Sequence, residues 1–383
     1  MEWMDGDLAE TLILWRRHLH AHPELSRFEA GTSAFVCAKL TDLGIPFQAG
    51  IGGHGVVATL ARGSSNRSVG LRADMDALPI EETTGLAYAS TNAGVMHACG
   101  HDGHTTSLLG AAAILARDDS WTGTIQLVFQ PAEEGMGGAL AMLADGLLER
   151  FPMERMFAFH NWPGLEAGTV AVHNGAVMAA GSRLKFEVGG QAGHAAQPHL
   201  TQDPMIASAH LLLALQTIVS RGVDPLESAV LSLTTMKVGN TWNQISDTAV
   251  LSGTMRTLHT STRDAMEAAI RRIAMGTAIS FGVEIDVDIS RGIEVTANTR
   301  EDAEMAAAVA AGIGLQVRRD LPPAMTGEDF SWFLKERPGA FVWIGNGPAD
   351  GGRGLHNPNY DFNDAILPAA SAFLAGMAKG ALR

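Results

Sequence analysis

The sequence predicts an α/β protein with a mostly parallel sheet that is interrupted by a second, α+β domain. In the first half, amphipathic helical segments alternate with short apolar segments, which is typical of α/β proteins. The apolar segments lack strict alternation, as expected of parallel strands buried on both faces. After about Gly181, apolar and charged residues alternate instead. That change predicts strands with one solvent-facing side and therefore a separate sheet.

The elements of the parallel-sheet domain follow from this pattern. Helices are predicted at 8–21, 31–43 and 105–116, and buried strands at 69–72, 125–130, 156–160 and 341–344. Polar residues follow each of these strands directly. Because ligands of open α/β sheets bind beyond the carboxyl ends of the strands, we expect these polar residues to converge at one site.

The interrupting segment has its own order of elements. A strand around 184–188 is followed by a helix that begins after Asp203 and Pro204 and runs to residue 220. Strands at 228–238 and 248–257, a helix at 262–281 and a strand at 283–289 complete a β-α-β-β-α-β order, which is ferredoxin-like. The α/β pattern resumes near Glu301. We therefore predict a discontinuous domain of residues 1–181 plus 295–383 and an inserted domain of residues 182–294.

Composition excludes several classes of protein. The chain has 383 residues, of which 46% are hydrophobic and 18% charged, so it is neither disordered nor fibrous. Its net charge of -14 opposes binding to nucleic acid or to an anionic membrane. Residues 1–7 are acidic, unlike a signal peptide, and two cysteines are too few for a disulfide framework. We expect a cytoplasmic protein without nucleic-acid or membrane partners.

The segment MHACGHDGH (96–104) places a thiol and an imidazole two residues apart, at Cys99 and His101. In an extended segment these side chains point the same way and can share one metal ion. The alternative is that Cys99 is a small buried side chain and His101 a polar group at a helix start. The segment by itself leaves both interpretations open.

Three further segments supply side chains of the same chemistry. QPAEEG (130–135) carries Glu133 and Glu134 at a strand end, where neighbouring side chains diverge, so that one can bind metal while the other accepts a proton from water. The alternative for this pair is two exposed loop glutamates. HNWP (160–163) and LHNPNYDFND (355–364) place His160 and His356 after other apolar segments. Four such segments near strand ends favour a common metal site.

The five candidate ligands indicate which metals would bind. Thiolate, imidazole and carboxylate together suit Zn, Mn, Co or Ni better than Mg or Ca. Five ligands exceed one tetrahedral site, so we expect two divalent ions about 3.5 to 4 Å apart, bridged by a carboxylate and a hydroxide. The candidate ligands are Cys99, His101, Glu134, His160 and His356.

Taken in order, seven motifs resemble those of the peptidase M20 superfamily, in the branch that contains hippurate hydrolase, N-acyl-amino-acid deacylases and plant auxin-conjugate hydrolases. The resemblance covers nearly the whole chain. It implies a metallo-exopeptidase-like catalytic domain with an inserted lid and dimerisation domain, two metal ions held by the five candidate ligands, and Glu133 as general base. The activity implied is hydrolysis of an N-acyl amino acid. The motifs are RRHLHAHPELSRFEAGTSAFV, LRADMDALPI, MHACGHDGH, PAEEG, HNWP, TGEDFSWFL and LHNPNYDFND.

The resemblance also implies roles for residues outside the ligand set. Asp74 stands where related branches have a metal-binding histidine, and Asp76 occupies the position of an orienting carboxylate; the alternative is that both bind loop amides. His194 matches a histidine that reaches into the partner subunit and polarises the scissile carbonyl, which implies a homodimer through the inserted domain. Asn243 and Arg256 match substrate-binding positions, and an arginine fork suits a carboxylate. The alternatives without a functional role are that His194 is an ordinary loop histidine and that Arg256 forms a salt bridge at a strand edge.

Three other functions remain open from the sequence. A metallo-dipeptidase or carboxypeptidase of the same fold would carry the same motifs. A cysteine nucleophile at Cys99 with His101 would leave the carboxylates of PAEEG without a role. A catalytically silent binding or scaffold relative would have no need for Glu133, which is not a ligand.

Overall fold

The computed structural model describes residues 6–383, which form two compact units. Residues 1–5, part of the acidic segment compared above with a signal peptide, lie outside the described residues. The first unit comprises 6–177, Ala297–Pro322 and Asp329–Arg383, and the second Met178–Thr296 and Pro323–Glu328. The predicted domain boundaries, after residues 181 and 294, lie close to the crossings at 178 and 296. The return of Pro323–Glu328 to the second unit was not predicted.

The helices and strands alternate along most of the chain. Up to the first crossing they are α1 Gly6–Ala21, α2 Ala30–Asp42, β1 Phe47–Ile51, β2 Gly55–Arg62, β3 Ser68–Asp74, α3 His101–Arg117, β4 Gly123–Gln130, α4 Gly138–Ala144, α5 Leu147–Arg150, β5 Arg155–Pro163, β6 Thr169–Ala171 and β7 Gly175–Met178. Up to the next crossing they are β8 Ala180–Gly189, β9 Gly193–His194, α6 Pro204–Thr217, β10 Ala229–Val238, β11 Gln244–Ile245, β12 Thr248–Thr257, α7 Thr260–Phe281 and β13 Glu284–Arg291. The remainder are β14 Thr296–Asn298, α8 Arg300–Gly312, β15 Gln316–Arg318, α9 Ser331–Glu336, β16 Gly339–Gly347 and α10 Leu367–Ala381.

The first unit is built on an eight-stranded sheet in the order β1-β2-β4-β3-β5-β16-β6-β15. Its centre is parallel, since β3 pairs in parallel with β4 and β5, and β5 with β16. These four strands contain the four predicted buried strands. Val69 and Leu71 of β3 belong to the main core together with Leu108 of α3 and Phe373 of α10. The predicted parallel α/β fold is confirmed. The carboxyl ends of its parallel strands lie side by side at one edge of the sheet.

The second unit has a four-stranded antiparallel sheet in the order β10-β12-β8-β13. Along β8, Leu184 and Phe186 are buried whereas Lys185 and Glu187 are exposed, so one face of the sheet is apolar. That face packs against α6 and α7 in a separate core. The strand order and the β-α-β-β-α-β sequence of elements confirm the predicted ferredoxin-like arrangement.

Helix α6 buries only one of its faces although most of its residues are apolar. The Asp203 carboxylate accepts hydrogen bonds from two backbone N–H groups of the first turn, which is a standard N-cap. Ala207, Leu211 and Leu215 lie in the core of the second unit. The helix ends three residues before the predicted residue 220, in a π-helical turn, Ile218–Gly222. Among residues 6–383, Pro204–Gly222 is the helical segment that is long and apolar enough to cross a membrane by length and composition alone.

Candidate metal centre

The parallel strands and helix α3 bring the five candidate ligands together. Glu134 follows the end of β4, His160 lies in β5, and His356 lies in the loop after β16. Cys99 and His101 flank Gly100, and α3 begins at His101. The carboxyl ends of adjacent parallel strands share one edge of the sheet, and α3 starts beside that edge. The predicted convergence of separate segments is therefore what the structure has.

The ligand atoms form two groups that share the Cys99 sulfur. In one group, Cys99, His101 and His160 offer ligand atoms within 4.8 Å of one another; in the other, Cys99, Glu134 and His356 do. The sulfur lies 3.4 Å from Nε2 of His160, and Nε2 of His356 lies 3.3 Å from Oε1 of Glu134. Glu134 Oε1 also lies 3.9 Å from Nε2 of His101, and the carboxylate bridge expected between two ions stays a prediction.

Hydrogen bonds fix the ring orientation of two histidines. His101 Nδ1 lies 2.9 Å from the carbonyl oxygen of Asp76 and 3.2 Å from its carboxylate. His160 Nδ1 lies 2.7 Å from the carbonyl oxygen of Asn161. Because these oxygens only accept hydrogen bonds, each Nδ1 carries the hydrogen. The lone pair of each Nε2 is then available to coordinate a metal, as is usual for ligating histidines. Asp76 also accepts the backbone N–H of Glu134 at 3.0 Å, so it combines the two roles considered for it.

Backbone constraints explain two other features of the centre. Gly100 has φ of +92° and precedes α3; a Cβ there would lie 2.2 Å from the Asn161 side-chain oxygen and 2.5 Å from the Tyr360 hydroxyl. A glycine is therefore required between Cys99 and His101. His356 has φ of +59°, a conformation that is costly outside glycine. Its backbone N–H donates to the carbonyl of Ala98 at 2.8 Å, which secures the loop to the Cys99 segment.

The residues present fit a bound cation. His101 Nε2 is fully buried and, among residues 6–383, has no hydrogen-bond partner. Burial would lower the pKa of His101, but the carboxylates of Asp74, Asp76 and Glu134 raise it to about 10. The site therefore favours positive charge at that ring. Burial and neighbouring carboxylates, of which Glu134 has the largest effect, raise the pKa of the Cys99 thiol, which is the opposite of what a nucleophilic cysteine requires.

Glu133 lies next to this centre. One of its oxygens is within 4.8 Å of ligand atoms of His101 and Glu134, and its Oε1 accepts the backbone N–H of Asp329 at 3.3 Å. The two adjacent glutamates of the PAEEG motif are thus both directed towards the centre and are not exposed loop residues.

Comparison with known proteins agrees with this geometry. The model of peptidase family M20/M25/M40 matches residues 70–380. The chain belongs to this family. An N-acetyl-L-cysteine deacetylase of Bacillus subtilis is 41% identical over 97% of this chain and 88% of its own length. A hippurate hydrolase of Campylobacter jejuni is 40% identical over 97% of both chains.

A solved structure supports the same assignment. A Bacillus subtilis protein described as a dinuclear metal binding peptidase from the M20 family superposes with a TM-score of 0.87 at 33% identity, over 98% of both chains. The resemblance inferred from the seven motifs is therefore confirmed, and so is the fold class. The identity of the metal in this M20 chain stays a prediction.

Buried acidic and basic residues lie behind the ligands of this M20 centre. Asp74 Oδ1 lies 2.6 Å from His104 Nδ1, and its Oδ2 accepts from Arg72 at 2.7 Å. Burial would raise the pKa of Asp74, but Arg72, His101 and His104 hold it well below its usual range. His104 Nε2 is 2.7 Å from the Asn161 side-chain oxygen. Since both of its ring nitrogens are engaged, His104 supports the centre and is not one of its free ligands.

The second unit does not bring its three predicted site residues to one place. The exposed His194 pairs with Gln244 between β9 and β11, and Ala195 N–H donates to the carbonyl of Asn243, so His194 and Asn243 lie in joined segments. Arg256 pairs with Gly181 at the other end of β12. Thr248 and Arg256 are eight positions apart along β12, which corresponds to roughly 25 Å of strand.

Arg256 keeps its guanidinium available for a ligand. Its Nη1 donates to the Thr254 hydroxyl and to the carbonyl of Met255, both of which are neutral, and burial lowers its pKa. Within residues 6–383, no carboxylate forms an ion pair with Arg256. The structure therefore does not support the alternative that Arg256 forms a strand-edge salt bridge.

The sequence did not reveal the residues that hold the candidate site side chains in place. Asn161 donates to the Tyr360 hydroxyl at 2.6 Å and thereby joins the segment after His160 to the loop of His356. Arg72, in the middle of a buried strand, contacts Asp74 and Asp329. A charged residue inside an apolar strand was the available signal, because a buried charge needs a partner.

Proposed function

We propose that this M20 chain is a metal-dependent amidohydrolase that cleaves N-acyl amino acids to a carboxylic acid and a free amino acid. The observation that carries the proposal is the pair of ligand groups sharing Cys99, with the Glu133 carboxylate beside them. The names of its relatives, a deacetylase of N-acetyl-L-cysteine and a hydrolase of hippurate, support this substrate class.

The centre would hold two divalent transition-metal ions, with Cys99 common to both. His101 and His160 complete one group, and Glu134 and His356 the other. Zn, Mn, Co or Ni suits this mixture of sulfur, nitrogen and oxygen. When bound, such ions lower the pKa of a water molecule and polarise a carbonyl oxygen.

Glu133 would act as the general base and then as the general acid. Its carboxylate takes one proton from the attacking water, whose oxygen forms the new bond to the amide carbon. When the carbon–nitrogen bond breaks, Glu133 gives that proton to the departing nitrogen. One water is consumed, and one carboxylic acid and one amine are formed. The backbone N–H of Asp329 donates to one Glu133 oxygen and so helps to fix the orientation of this carboxylate.

Three residues of the second unit would bind the substrate. His194 would donate to the oxyanion that develops on the scissile carbonyl, and Asn243, in the segment joined to it, would contact the amide. Arg256 would bind the α-carboxylate through its fork. His194 lies in a segment that follows the Thr248 end of the sheet, whereas Arg256 lies at the other end of β12, so contact of one substrate with both residues of one chain is disfavoured. We therefore propose that His194 and Asn243 act on the substrate held by the partner subunit.

A homodimer through the second unit is consistent with its exposed apolar surface. Ile206 and Leu213 lie on the outer face of α6 with 49% and 66% of their surface exposed, and Val230 and Met236 are exposed on β10. Strand β10 is an edge of its sheet and can pair with another chain. A second copy would cover both features. No nucleic acid or membrane is proposed as a partner, and the cytoplasmic location stays a prediction from composition.

The test is a measurement of amino acid release. Purified protein loaded separately with Zn, Mn, Co or Ni is incubated with N-acetyl, N-benzoyl and longer N-acyl amino acids and with dipeptides, and the products are identified by mass spectrometry. We expect release from the N-acyl amino acids that stops when a chelator is added. Glu133→Gln should abolish release and leave metal content unchanged, because Glu133 moves protons and is not a ligand.

Other outcomes would reassign the chain. Release from dipeptides alone would make it a metallo-dipeptidase of the same fold. No release from any compound, with metal verified as bound, would favour a silent binding relative. Loss of metal from Glu133→Gln would make Glu133 a ligand and remove it from the role of base.

A further inference from the structure

A buried network of side chains lies directly behind Glu133. Asp329, at 2% exposure, is the residue at which the chain returns from the second unit to the first. Its Oδ1 accepts from Gln130 at 2.7 Å and from Arg72 at 3.1 Å, and its Oδ2 accepts the backbone N–H of Ala139 at 3.0 Å. Three donors from β3, β4 and α4 thus immobilise one carboxylate.

The same residue holds Glu133 through its backbone. The N–H of Asp329 donates to Oε1 of Glu133 at 3.3 Å. That N–H belongs to the peptide bond at the crossing between the two units, so its position on the first unit depends on how the Asp329 side chain is anchored. A hydrogen bond from a fixed donor restricts the rotamers of the accepting carboxylate.

Arg72 connects this network to the ligands. Its Nη1 donates to Asp74 at 2.7 Å, its Nε to Gln130 at 2.7 Å, and its Nη2 to Asp329 at 3.1 Å. Asp74 in turn lies 3.7 Å from Nε2 of His101. One buried guanidinium therefore joins the carboxylate beside the ligand His101 to the carboxylate that anchors the donor of Glu133. Only the planar fork of arginine can serve these acceptors together.

We propose that Asp329 is a positioning residue for the reaction, which it supports by fixing the Glu133 carboxylate through its own backbone N–H, with Arg72 and Gln130 as its anchors. This inference rests on the proposed function, because it assigns Glu133 the role of base. A base that transfers a proton twice must keep its distance from both the water and the departing nitrogen, and small displacements reduce the rate strongly.

The test compares two buried aspartates of the first unit. Asp329→Asn removes the charge and sets an NH₂ group against the N–H of Ala139 or the donors of Arg72 and Gln130. Asp302→Asn is the matched control, because Asp302 is also buried and bound to an arginine, Arg155, at 2.6 Å. We expect Asp329→Asn to lower kcat at least tenfold, with KM and metal content within twofold of wild type. Asp302→Asn should leave kcat unchanged.

A double variant distinguishes positioning from a general structural effect. If Asp329 acts through Glu133, Asp329→Asn causes no further loss in the residual turnover of Glu133→Gln. An equal loss in both backgrounds would overturn the proposal. So would a kcat of Asp329→Asn equal to that of Asp302→Asn, or a parallel fall in metal content.

A readout that is independent of activity separates this inference from the proposed function. In a crystal structure of the wild type, the Glu133 carboxylate should have one conformer, held by the backbone N–H of residue 329. In a crystal structure of Asp329→Asn, it should be displaced or have several conformers. The same ordered Glu133 in both structures would overturn the inference even in an active enzyme. Inactivity of the wild type towards every compound would instead contradict the proposed function.

Discussion

At the scale of single residues, the most informative feature is the Cys99 sulfur, which is common to both ligand groups. A thiol whose pKa is raised by burial and by neighbouring carboxylates stays protonated unless a cation replaces its proton. Metal binding at this centre is therefore coupled to release of that proton.

Substitution of Cys99 should weaken both metal positions together. Serine has the same size, but its hydroxyl is a poor ligand for these metals. In Cys99→Ser we expect the affinity for both ions to fall at least about tenfold. His160→Gln and His356→Gln, each of which alters only one group, should each weaken one ion. Metal stoichiometry measured after equilibration with a competing chelator checks this. A Cys99→Ser protein that loses a single ion would show that the sulfur is not shared.

The residue types of the centre could be predicted from sequence, but their partners could not. Cys99, His101 and Glu133 were identified because motifs restrict which chemistry they can perform. Asp329 was part of a motif without an assigned role, since its function depends on Arg72 and Gln130, which reach it only after three strands have assembled. Which side chains lie close enough to share an ion depends on the folded geometry, which spacing in a sequence does not encode.

At the scale of elements, helix α1 is held against the first turn of α3 by buried charges. His20 of α1 lies 2.8 Å from Asp102 of α3 and 3.3 Å from Glu82. Arg16, one turn earlier, lies 2.7 Å from Asp361 and 3.6 Å from Asp102. The turn that carries His101 is thereby fixed from behind by α1.

This contact should make stability depend on pH. Burial would lower the pKa of His20, but Asp102 and Glu82 raise it from 6.5 to about 9. Since the pKa is higher in the folded state, the stabilisation is complete below pH 6.5 and is lost as pH rises through about 9. We expect the free energy of unfolding to fall by up to about 3 kcal/mol over that window. Denaturant unfolding at fixed metal loading measures this fall.

Two variants identify the residue responsible for the pH dependence. His20→Gln should show a flatter profile between pH 6.5 and 9 than wild type. His97→Gln is the control, because burial lowers the pKa of His97 to about 4, and that ring stays neutral throughout the window. An unchanged slope in His20→Gln would contradict the assignment to His20.

The elements themselves were predictable where their pattern is strong. The strands around Leu71 and Leu127 and the alternating β8 are fixed by burial on two faces or on one. The three-residue strands β6 and β15 carry too few residues to show a period, and they exist because they extend the sheet edge beside β16. The π-helical end of α6 likewise has no signal in the apolar sequence after Thr217.

At the scale of the whole molecule, the sequence pattern marks some of the points at which the chain crosses between its two units and not others. The insertion was visible because periodicity changes near Gly181 and again near Glu301. Pro323–Glu328 joins the second unit without any change of pattern. The position of Asp329 immediately after this segment is a consequence of that crossing, and it explains why a positioning residue is found there.

The assembly of two chains yields the last prediction. If His194 acts on the substrate of the partner subunit, a Glu133→Gln chain and a His194→Ala chain complement each other. In their heterodimer, the His194→Ala chain supplies Glu133 and its partner supplies His194. Random pairing at equal amounts should restore about a quarter of wild-type activity, since half of the dimers are mixed and each has one complete site.

The control for this experiment replaces the first chain by one that carries both substitutions. This double variant, Glu133→Gln with His194→Ala, is mixed with the His194→Ala chain. Neither chain then has an intact His194, so the mixture should recover no activity. The mixtures are prepared by co-refolding or co-expression, and amino acid release is measured per total chain. If the first mixture also stays inactive while its heterodimers are demonstrated, His194 acts within its own chain or not at all. Action within its own chain would exclude Arg256, at the other end of β12, from binding the same substrate in that chain.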